Sequence, residues 1–403
     1  MLAIRAFVKL FKEKKDRQLD KNNNMRILYI TKHDPFGLGG GATASRNFME
    51  AFITIFPDYE FDILICDELL HKISQKYRDI SSLHFIGVPK RSFFSRMASP
   101  LTGVMHRFQK TALRYLSIRE YDYCIFDHSS IAGSLVYAAL NKGIKTIVIH
   151  HNFERDFFKD NNIFIVGWLL LYQVAKNEKA AYMNSNYNIF LTQEDCDKFK
   201  NCYGESKGRS IVRYIFESSS NKVLQSTKLS IPPKNIVITG SLNNMQNIDG
   251  INYFIDNIYQ LIPDKYHIII SGQGPSSSLL EKLRRYSNIE VIPNPADMGD
   301  VIKRGDIYVC LTRLGSGIKV RITDGLRMGL PVIAHVVSSR GYGAFVKRGY
   351  METFDTPELF VKALTRIEEK ICQNANLSDE ISSYYHSTCS FDNSLNVLCN
   401  SLK

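Results

Sequence analysis

The sequence predicts an α/β protein built from two doubly wound, Rossmann-like halves. Short β-rich runs alternate with helical stretches of about 10 to 15 residues, which is typical of βαβ units in a parallel sheet. The alternation lapses between Cys202 and Lys234, where SSS and IPP predict a linker, and then restarts. The 403 residues, 44% of them apolar, are enough for two such halves with sizeable cores.

The first half is predicted to begin at Met25, after the polar KNNN segment. Its strands are predicted at RILYIT (26–31), FDILIC (61–66), LHFIGV (83–88), YDYCIFD (121–127), KTIVIH (145–150) and YNIFLT (187–192). Helices are predicted at ATASRNFMEAFITIF, IAGSLVYAALNK and QEDCDKF. Because ligands of such sheets bind outside the carboxyl ends of the strands, this edge is where we look for a site.

The second half repeats the pattern with NIVITG (235–240), HIIISG (267–272), IEVIP (289–293), DIYVCLT (306–312) and PVIAHV (331–336). A helix is predicted from Asn247 to Leu261, and the tail after Thr356 is mostly helical in pattern. The predicted organisation is a leader (1–24), an N-terminal acceptor domain (25–215), a linker (216–234), a C-terminal donor domain (235–385) and a C-terminal helix (386–403) that packs back on the first domain. Both halves should face a shared cleft.

Several classes of protein do not fit this composition. The eight cysteines are scattered without C-x-x-C spacing, which indicates reduced cytosolic thiols and neither a disulfide framework nor a zinc site. The longest nearly unbroken apolar run, Ile163 to Ala175, is too short to cross a bilayer of ~30 Å. Arg5 and Lys9 interrupt the apolar stretch after Met1, so we expect no cleavable signal peptide.

The net charge of +11 is concentrated in two segments. Residues 1–21 hold seven Lys or Arg against three acidic residues, and residues 90–119 hold seven against none. Both segments interleave their cations with large apolar residues, which favours peripheral contact with the inner face of a membrane through 1–20 and 90–119. The alternative is a frayed leader and a solvated helix. A nucleic-acid binder would spread its cations over a wider face, so no nucleic-acid partner is expected.

The most informative segment is LTRLGSGIKVRITDGLRMGLPVIAH (311–335). A buried strand is predicted to end at Thr312, followed by a glycine turn and a helix that opens near Ile318. Free N–H groups at such a turn form an anion site. Lys319 and Arg321 would lie in the first helical turn, where cations are unfavourable unless a phosphate is bound. Asp324, about two turns in, could accept both hydroxyls of a ribose. The alternative is an ordinary βα connection.

This segment resembles the donor-binding signature of the retaining GT-B glycosyltransferases of the broad family-four (glycosyl transferases group 1) type. GSGIKVRITDGLRMGLPVI follows their pattern G-S-G-T-R-x-K-I-L-E-A-x-x-x-G-x-P-V-V almost position by position. ITGSLNNMQNIDGINYFIDNI and ISGQGP resemble the family's first two C-terminal strands with their connections. The likeness is good over 235–335 and looser in the first half.

The resemblance implies a GT-B fold and a nucleotide-diphosphate sugar as co-substrate, with no further cofactor. Asp324 would take the place of the family's ribose-binding Glu, and the loop from Ile292 to Pro295 would edge the base. The residues implied for the donor nucleotide are Gly272, Gly274, Asn294, Ser316, Gly317, Ile318, Lys319, Arg321 and Asp324. The implied activity is a metal-independent, retaining hexosyl transfer to a glycan or lipid-linked acceptor in polysaccharide or glycoconjugate synthesis.

The sequence departs from the family pattern in two places. Many members carry an acidic residue eight positions before the ribose-binding one, where this chain has Ser316. The cation that often follows the first C-terminal strand is absent from Leu242 to Gln246. Because of these departures, the alternative remains that the protein is catalytically silent and acts as a sugar-nucleotide-binding or partner protein on the same fold. An epimerase acting on the nucleotide sugar is a third reading.

In the first half, GLGGGATASRNF (37–48) directly follows the first strand and opens a helix. Gly39, Gly40 and Gly41 would let the backbone approach an acceptor or phosphate closely, although a G-x-G-x-x-G spacing is lacking. IHHNFERDF (149–157) ends another strand. Adjacent strand residues face opposite ways, so one of its histidines should face the cleft.

We favour His151 as the catalytic histidine, since the family commonly has one near the sugar. Asp127 and His128 close another strand and are second-rank candidates, of which Asp127 is included as a catalytic residue. The alternative is a structural histidine.

A metal site is the rival reading of the acidic residues. The D-x-D sequence is Asp195-Cys196-Asp197, and metal-dependent glycosyltransferases of the other major fold use such a pair. Thr192 with Asp195 three residues later instead resembles a variant capping box at a helix start. We therefore expect no metal.

Overall fold

The structure is a computed structural model that describes residues 25–37, 40–104, 106–156, 167–219, 226–315 and 317–402. The predicted leader, Gly39 and Ser316 lie outside these residues. None of the described helices has the length and apolar content needed to span a bilayer. All eight cysteines are free thiols.

The first domain contains a seven-stranded sheet in the order β3-β2-β1-β4-β5-β6-β7. Every pair of neighbouring strands is parallel. The strands are β1 Arg26–Thr31, β2 Glu60–Cys66, β3 Leu83–Val88, β4 Tyr123–Asp127, β5 Lys145–His150, β6 Tyr187–Phe190 and β7 Arg209–Val212. The central strands are buried on both faces, since Tyr29 belongs to one apolar core and Leu28 to the other.

Helices connect these strands and cover both faces of the sheet. The α-helices are Gly40–Ile55, Gln75–Arg78, Phe93–Met97, Ser99–Thr102, Phe108–Ile118, Ser129–Leu140, Gly167–Asn184 and Gln193–Tyr203. A 3-10 helix spans Asp67–Lys72. Thr192 caps the helix Gln193–Tyr203 by accepting a hydrogen bond from the Asp195 N–H at 3.1 Å. This is the capping arrangement that the sequence predicts.

The second domain contains a six-stranded sheet in the order β10-β9-β8-β11-β12-β13, again entirely parallel. Its strands are β8 Asn235–Thr239, β9 His267–Gly272, β10 Ile289–Pro293, β11 Ile307–Cys310, β12 Val332–His335 and β13 Met351–Phe354. Its α-helices are Met245–Tyr253, Ser277–Leu283, Met298–Ile302, Ile322–Arg327, Gly343–Lys347, Pro357–Gln373 and Leu377–Cys389. A π-helical turn Phe254–Ile258 and a 3-10 turn Tyr259–Leu261 complete the predicted helix after β8.

The chain returns to the first domain at its end. Tyr385 packs in the core of the second domain, whereas Leu395 and Leu398 of the helix Phe391–Leu402 pack in a core of the first. The Tyr187 hydroxyl donates to the Leu402 carbonyl at 3.1 Å. The two domains are therefore joined by the linker and by this last helix.

Sequence analysis missed two strands, β7 and β13. Both are four-residue strands at the edge of a sheet, and RSIV in β7 leaves three of its four residues exposed. Edge strands this short lack the continuous apolar run that marks the buried strands. The two doubly wound domains are confirmed.

Candidate functional site

The loop between β11 and the helix Ile322–Arg327 carries the predicted donor residues. Gly315 and Gly317 have positive φ angles of 85° and 75°, a conformation that favours glycine. The helix begins at Ile322, so the prediction that it opens near Ile318 is wrong. Lys319 consequently lies before the helix and not in its first turn, and the same holds for Arg321, its N-cap.

Residues 319–324 are wound by three successive i→i+3 hydrogen bonds, from Ile322, Thr323 and Asp324 to the carbonyls three residues earlier. The Tyr342 hydroxyl donates to the Lys319 carbonyl at 3.0 Å and fixes the entry to this turn. Two glycine reversals and this tight winding delay the α-helix by four residues. Asp324 therefore lies in the first turn of the helix, not two turns into it.

Arg321 supplies a cation at the end of β8, where the sequence from Leu242 to Gln246 contains none. Its guanidinium donates to the Thr239 carbonyl at the end of β8 (3.1 Å) and to Asn247 Oδ1 (2.6 Å). A Cβ added to Gly240 would lie 2.2 Å from Arg321 Nη1. Folding thus brings a cation from the second half of the domain to the end of its first strand.

Lys319 is a buried lysine among other cations. Lys319 is only 8% exposed. Burial lowers the pKa of its ammonium group, and the positive charges of Arg321 and Arg340 lower it further. Three cations held this close repel one another. An anion bound among them would relieve the repulsion, which favours a phosphate site at this loop.

Asp324 is partly open to solvent in the first turn of the helix Ile322–Arg327. Protein surrounds the carboxyl group and this desolvation raises its pKa, yet 41% of the side chain surface remains open to solvent. Arg327 Nη2 lies 3.4 Å from Asp324 Oδ1. A carboxylate with this exposure can accept hydrogen bonds from the hydroxyls of a ligand.

The other predicted nucleotide residues line the ends of β9 and β10. Gly274, with φ of 68°, donates its N–H to Asn294 Oδ1 at 2.8 Å, and Asn294 has a positive φ of 49°. Gly272 ends β9, where an added Cβ would lie 1.6 Å from the Gly240 carbonyl oxygen. The close approach of the ends of β8 and β9 therefore requires glycine at position 272, whether or not a nucleotide binds there.

In the first domain, the carboxyl ends of β1, β4 and β5 bring polar residues together. His151 Nε2 lies 2.6 Å from Asp127 Oδ1, and the Thr31 hydroxyl donates to Asp127 Oδ2 at 2.7 Å. Although burial opposes it, the His151 imidazole holds the pKa of Asp127 well below its usual range. Asp127 is fully buried, so it contacts His151 and not the cleft.

Two further imidazoles surround His151. The ring centroid of His33 is 5.4 Å from that of His151 and 5.3 Å from that of His128. His128 Nε2 lies 3.0 Å from Glu154 Oε1. Burial lowers the pKa of His33 to about 4 and that of His128 to about 3, so both rings are neutral at pH 7. The sequence analysis did not select His33, although its position two residues after the end of β1 places it at the edge of the sheet where ligands bind.

His150 has a different environment. Its Nε2 lies 2.8 Å from Asn188 Oδ1, and its ring stacks on Phe190 with centroids 4.7 Å apart. The two adjacent histidines thus separate, with His150 in an aromatic core and His151 at the strand end beside Asp127.

The glycine-rich segment after β1 is helical where it is described. Gly40 and Gly41 are the first residues of the helix Gly40–Ile55, which begins two residues before the predicted ATASRNFMEAFITIF. A Cβ on Gly41 would lie 3.2 Å from His33 Cε1, which means that the glycine leaves room for the imidazole.

The two domains touch at these two groups of residues. A Cβ added to Gly317 would lie 2.8 Å from Asn152 Oδ1 and 3.9 Å from the His151 carbonyl oxygen. Ile318 and Val320 pack against the core of the first domain. The donor loop therefore faces the strand ends that carry His151.

A polar cavity of about 230 Å³ lies beside this contact. Its lining residues are Thr192, Glu194, Asp195, Lys198, Gly317 and Arg340. Asp195 of the D-x-D sequence is engaged in the helix cap described above. Within the described part of the chain, no group of three His, Cys, Asp or Glu side chains is placed to hold a metal ion.

Two facing α/β domains with parallel sheets, joined at the carboxyl ends of their strands, define a GT-B fold. Residues 233–370, about a third of the chain, match the family model described as glycosyl transferases group 1. The match falls on the second domain and contains the 311–335 segment. No curated protein sequence matches the chain significantly.

Solved structures resemble the whole chain. A sucrose-phosphate synthase from Thermosynechococcus elongatus is similar with a TM-score of 0.65 and 11% identity, covering 94% of this chain and 98% of that one. WaaG, a glycosyltransferase involved in lipopolysaccharide biosynthesis, gives 0.62 and 12%, covering 93% and 98%. Anabaena Alr3699/HepE in complex with UDP and glucose gives 0.60 and 12%, covering 94% and 99%.

Proposed function

We propose that the protein is a glycosyltransferase that moves a hexosyl group from a nucleotide-diphosphate sugar to a glycan or lipid-linked acceptor, with retention of the anomeric configuration. The observation that carries the proposal is the group of Lys319, Arg321 and Arg340 around a glycine loop that faces His151 across the domain contact. The match of the second domain to the glycosyl transferases group 1 model supports it. So does the UDP bound by a protein of the same fold.

In the proposed mechanism, the sugar develops an oxocarbenium-like character while the leaving diphosphate gains negative charge. The cations at the 315–321 loop stabilise that charge as it forms. The acceptor attacks on the face from which the diphosphate departs, so no covalent nucleophile is assigned. Contact between the domains excludes water, which would otherwise hydrolyse the donor.

His151 is the proposed catalytic residue on the first domain, and Asp127 is its positioning residue. Because an ionised carboxylate only accepts hydrogen bonds, His151 Nε2 must carry a proton in its contact with Asp127. This contact orients the ring, and Nδ1 is the nitrogen that we propose for contact with a sugar hydroxyl. We place the reaction in the cytoplasm, in surface polysaccharide or glycoconjugate synthesis.

A panel of nucleotide-diphosphate sugars tests the proposal. Ligands that bind only the native state raise its melting temperature. We expect at least one nucleotide sugar to do so and to yield a glycosylated product with an acceptor. Binding without product from any donor would favour the silent alternative, which Ser316 motivates, and product without an acceptor would indicate an epimerase. Absence of stabilisation by every nucleotide would overturn the proposal.

Replacing Asp324 with alanine should weaken nucleotide binding, because the hydrogen bonds to the ribose are lost. We expect a loss of at least ~1 kcal/mol, about fivefold in Kd. Titration calorimetry with the stabilising nucleotide measures it. Asp300→Ala, at an exposed carboxylate of the same domain, is the matched control and should leave Kd unchanged. Equal affinities for wild type and Asp324→Ala would contradict the placement of the ribose.

A further inference from the structure

Six large apolar side chains on the first domain point into solvent. They are Phe93, Phe94, Met97, Leu101, Trp168 and Tyr172, and we call them the docking patch. Each is more than half exposed, and Phe94 and Leu101 reach 83%. Single exposed apolar residues are common on soluble proteins, but a contiguous group indicates a surface that another body covers.

The two segments of the docking patch are neighbours. The helix Ser99–Thr102 packs on the helix Gly167–Asn184. A Cβ on Gly103 would lie 3.1 Å from Gln173 Oε1, next to Tyr172 in sequence. Trp168 and Tyr172 are four residues apart and so share one helix face. The patch is built by three helices, of which Ser99–Thr102 contacts both others.

Hydrogen bonds from Arg91 hold the segment that carries Phe93 to Leu101. The Arg91 guanidinium donates hydrogen bonds to the Val104 carbonyl and to the Ser99 hydroxyl. The helix Phe93–Met97 buries none of its residues, even though Ser92 caps it. Its apolar side chains are thus presented outward by a folded scaffold.

The sequence that carries the first segment of the docking patch is basic. Residues 90–119 contain seven Lys or Arg and no acidic residue. Arg96, Lys110 and Arg114 are exposed, and none of the three forms an ion pair within the described part of the chain. Lys176 extends the Trp168–Tyr172 face by one more turn. Aromatic side chains mixed with unpaired cations match the chemistry of a bilayer surface with anionic headgroups.

The docking patch lies at the site edge of the first domain. Its first segment follows the end of β3, and Arg107 returns there by donating to the Val88 carbonyl at 3.3 Å. Burial and the nearby Arg91 and Lys32 cations lower the pKa of His106 to about 3. Lys32 in turn lies 3.9 Å from Glu154, the partner of His128. The segment that carries Phe93 to Leu101 therefore begins at the same edge of the sheet as the imidazole group.

We propose that the docking patch binds the surface of a lipid bilayer that carries anionic headgroups, with its apolar side chains in the interface and its cations on the headgroups. The consequence for the substrate rests on the proposed function: an acceptor anchored in that bilayer enters between the membrane and His151, which makes the acceptor lipid-linked.

Trp168 provides a direct probe, because it is the only tryptophan of the chain. On titration with vesicles of phosphatidylcholine and phosphatidylglycerol, its emission should shift to the blue and the protein should co-sediment. Pure phosphatidylcholine vesicles and high salt should both weaken the effect. Co-sedimentation without a shift of Trp168 emission would mean that another surface binds, and absence of binding would equally overturn the proposal.

Phe93→Ser with Phe94→Ser should lower the affinity for the mixed vesicles by about 10-fold or more, since two exposed rings no longer enter the interface. Leu261→Ser with Leu359→Ser removes two exposed apolar residues of the other domain and should change nothing. Equal vesicle binding by both double variants would refute the patch. Sedimentation velocity tests whether the patch instead binds a second copy of the chain. If wild type self-associates and only the Phe93→Ser, Phe94→Ser variant does not, the patch is a contact between copies and the membrane proposal is refuted.

Vesicle binding and nucleotide binding are separate measurements. The Phe93→Ser, Phe94→Ser variant should keep the thermal stabilisation by the nucleotide sugar. If the proposed function is wrong but the patch binds a bilayer, vesicles will still shift the Trp168 emission. If the patch does not bind a bilayer but the proposed function is right, the nucleotide sugar will still raise the melting temperature.

Discussion

Replacing Lys319 with methionine is expected to lower kcat of sugar transfer by about 100- to 1,000-fold, the usual cost of removing one group that stabilises charge in a transition state. Methionine fills a similar volume without the ammonium. Steady-state kinetics with the donor found in the nucleotide panel measures the change. Lys319→Arg retains a cation and should preserve much of the rate.

The same variant should not lose stability. Because burial and two arginines lower the pKa of Lys319 in the folded chain, its protonated form destabilises the empty protein. This cost is complete below the folded pKa, falls as pH rises above it, and is gone only above the pKa of the unfolded chain. We expect the Lys319→Met melting temperature at neutral pH to equal or exceed that of wild type. Lys347→Met, at an exposed helix end, is the control. Unchanged turnover in Lys319→Met would contradict the proposed role.

Replacing Gly272 with alanine should destabilise the protein by more than about 3 kcal/mol, because its Cβ would overlap the Gly240 carbonyl oxygen at 1.6 Å. That oxygen belongs to the backbone, so β8 and β9 would have to separate at their ends. The free energy of unfolding in urea measures the effect.

Gly343→Ala is the matched substitution. An added Cβ there meets nothing within 4 Å, and the position lies in a helix, where alanine is favoured by about 0.5–1 kcal/mol. Similar stabilities for Gly272→Ala and wild type would show that the strand ends can move apart. The glycine would then have to be explained by the nucleotide.

Much of the fold follows from local sequence. RILYIT, KTIVIH and HIIISG form central strands with the predicted bounds, because a strand buried on both faces needs a nearly unbroken apolar run. LHFIGV and IEVIP also have the predicted bounds, although they form the partly exposed edge strands β3 and β10. The edge strands β7 and β13 were not predicted, because each has only four residues and lacks a continuous apolar run.

The site was predicted less completely. The motif at 311–335 located the donor loop, but the helix start moved from Ile318 to Ile322 through turns that depend on Tyr342. The cation missing after β8 is supplied by Arg321, some eighty residues along the chain. Likewise His33 joins His151 only because β1 and β5 both border β4.

Sequence alone determined the two α/β halves, the glycine turn with its cations and the basic, aromatic segment at 90–119. Each is recorded within a short stretch of chain, as periodicity, spacing or charge. Tertiary structure decided which residues meet: Asp127 with His151, Gly317 with Asn152, and Gly103 with Gln173. Those contacts join residues distant in sequence, and only the order of strands in the sheets and the closing of the domains bring them together.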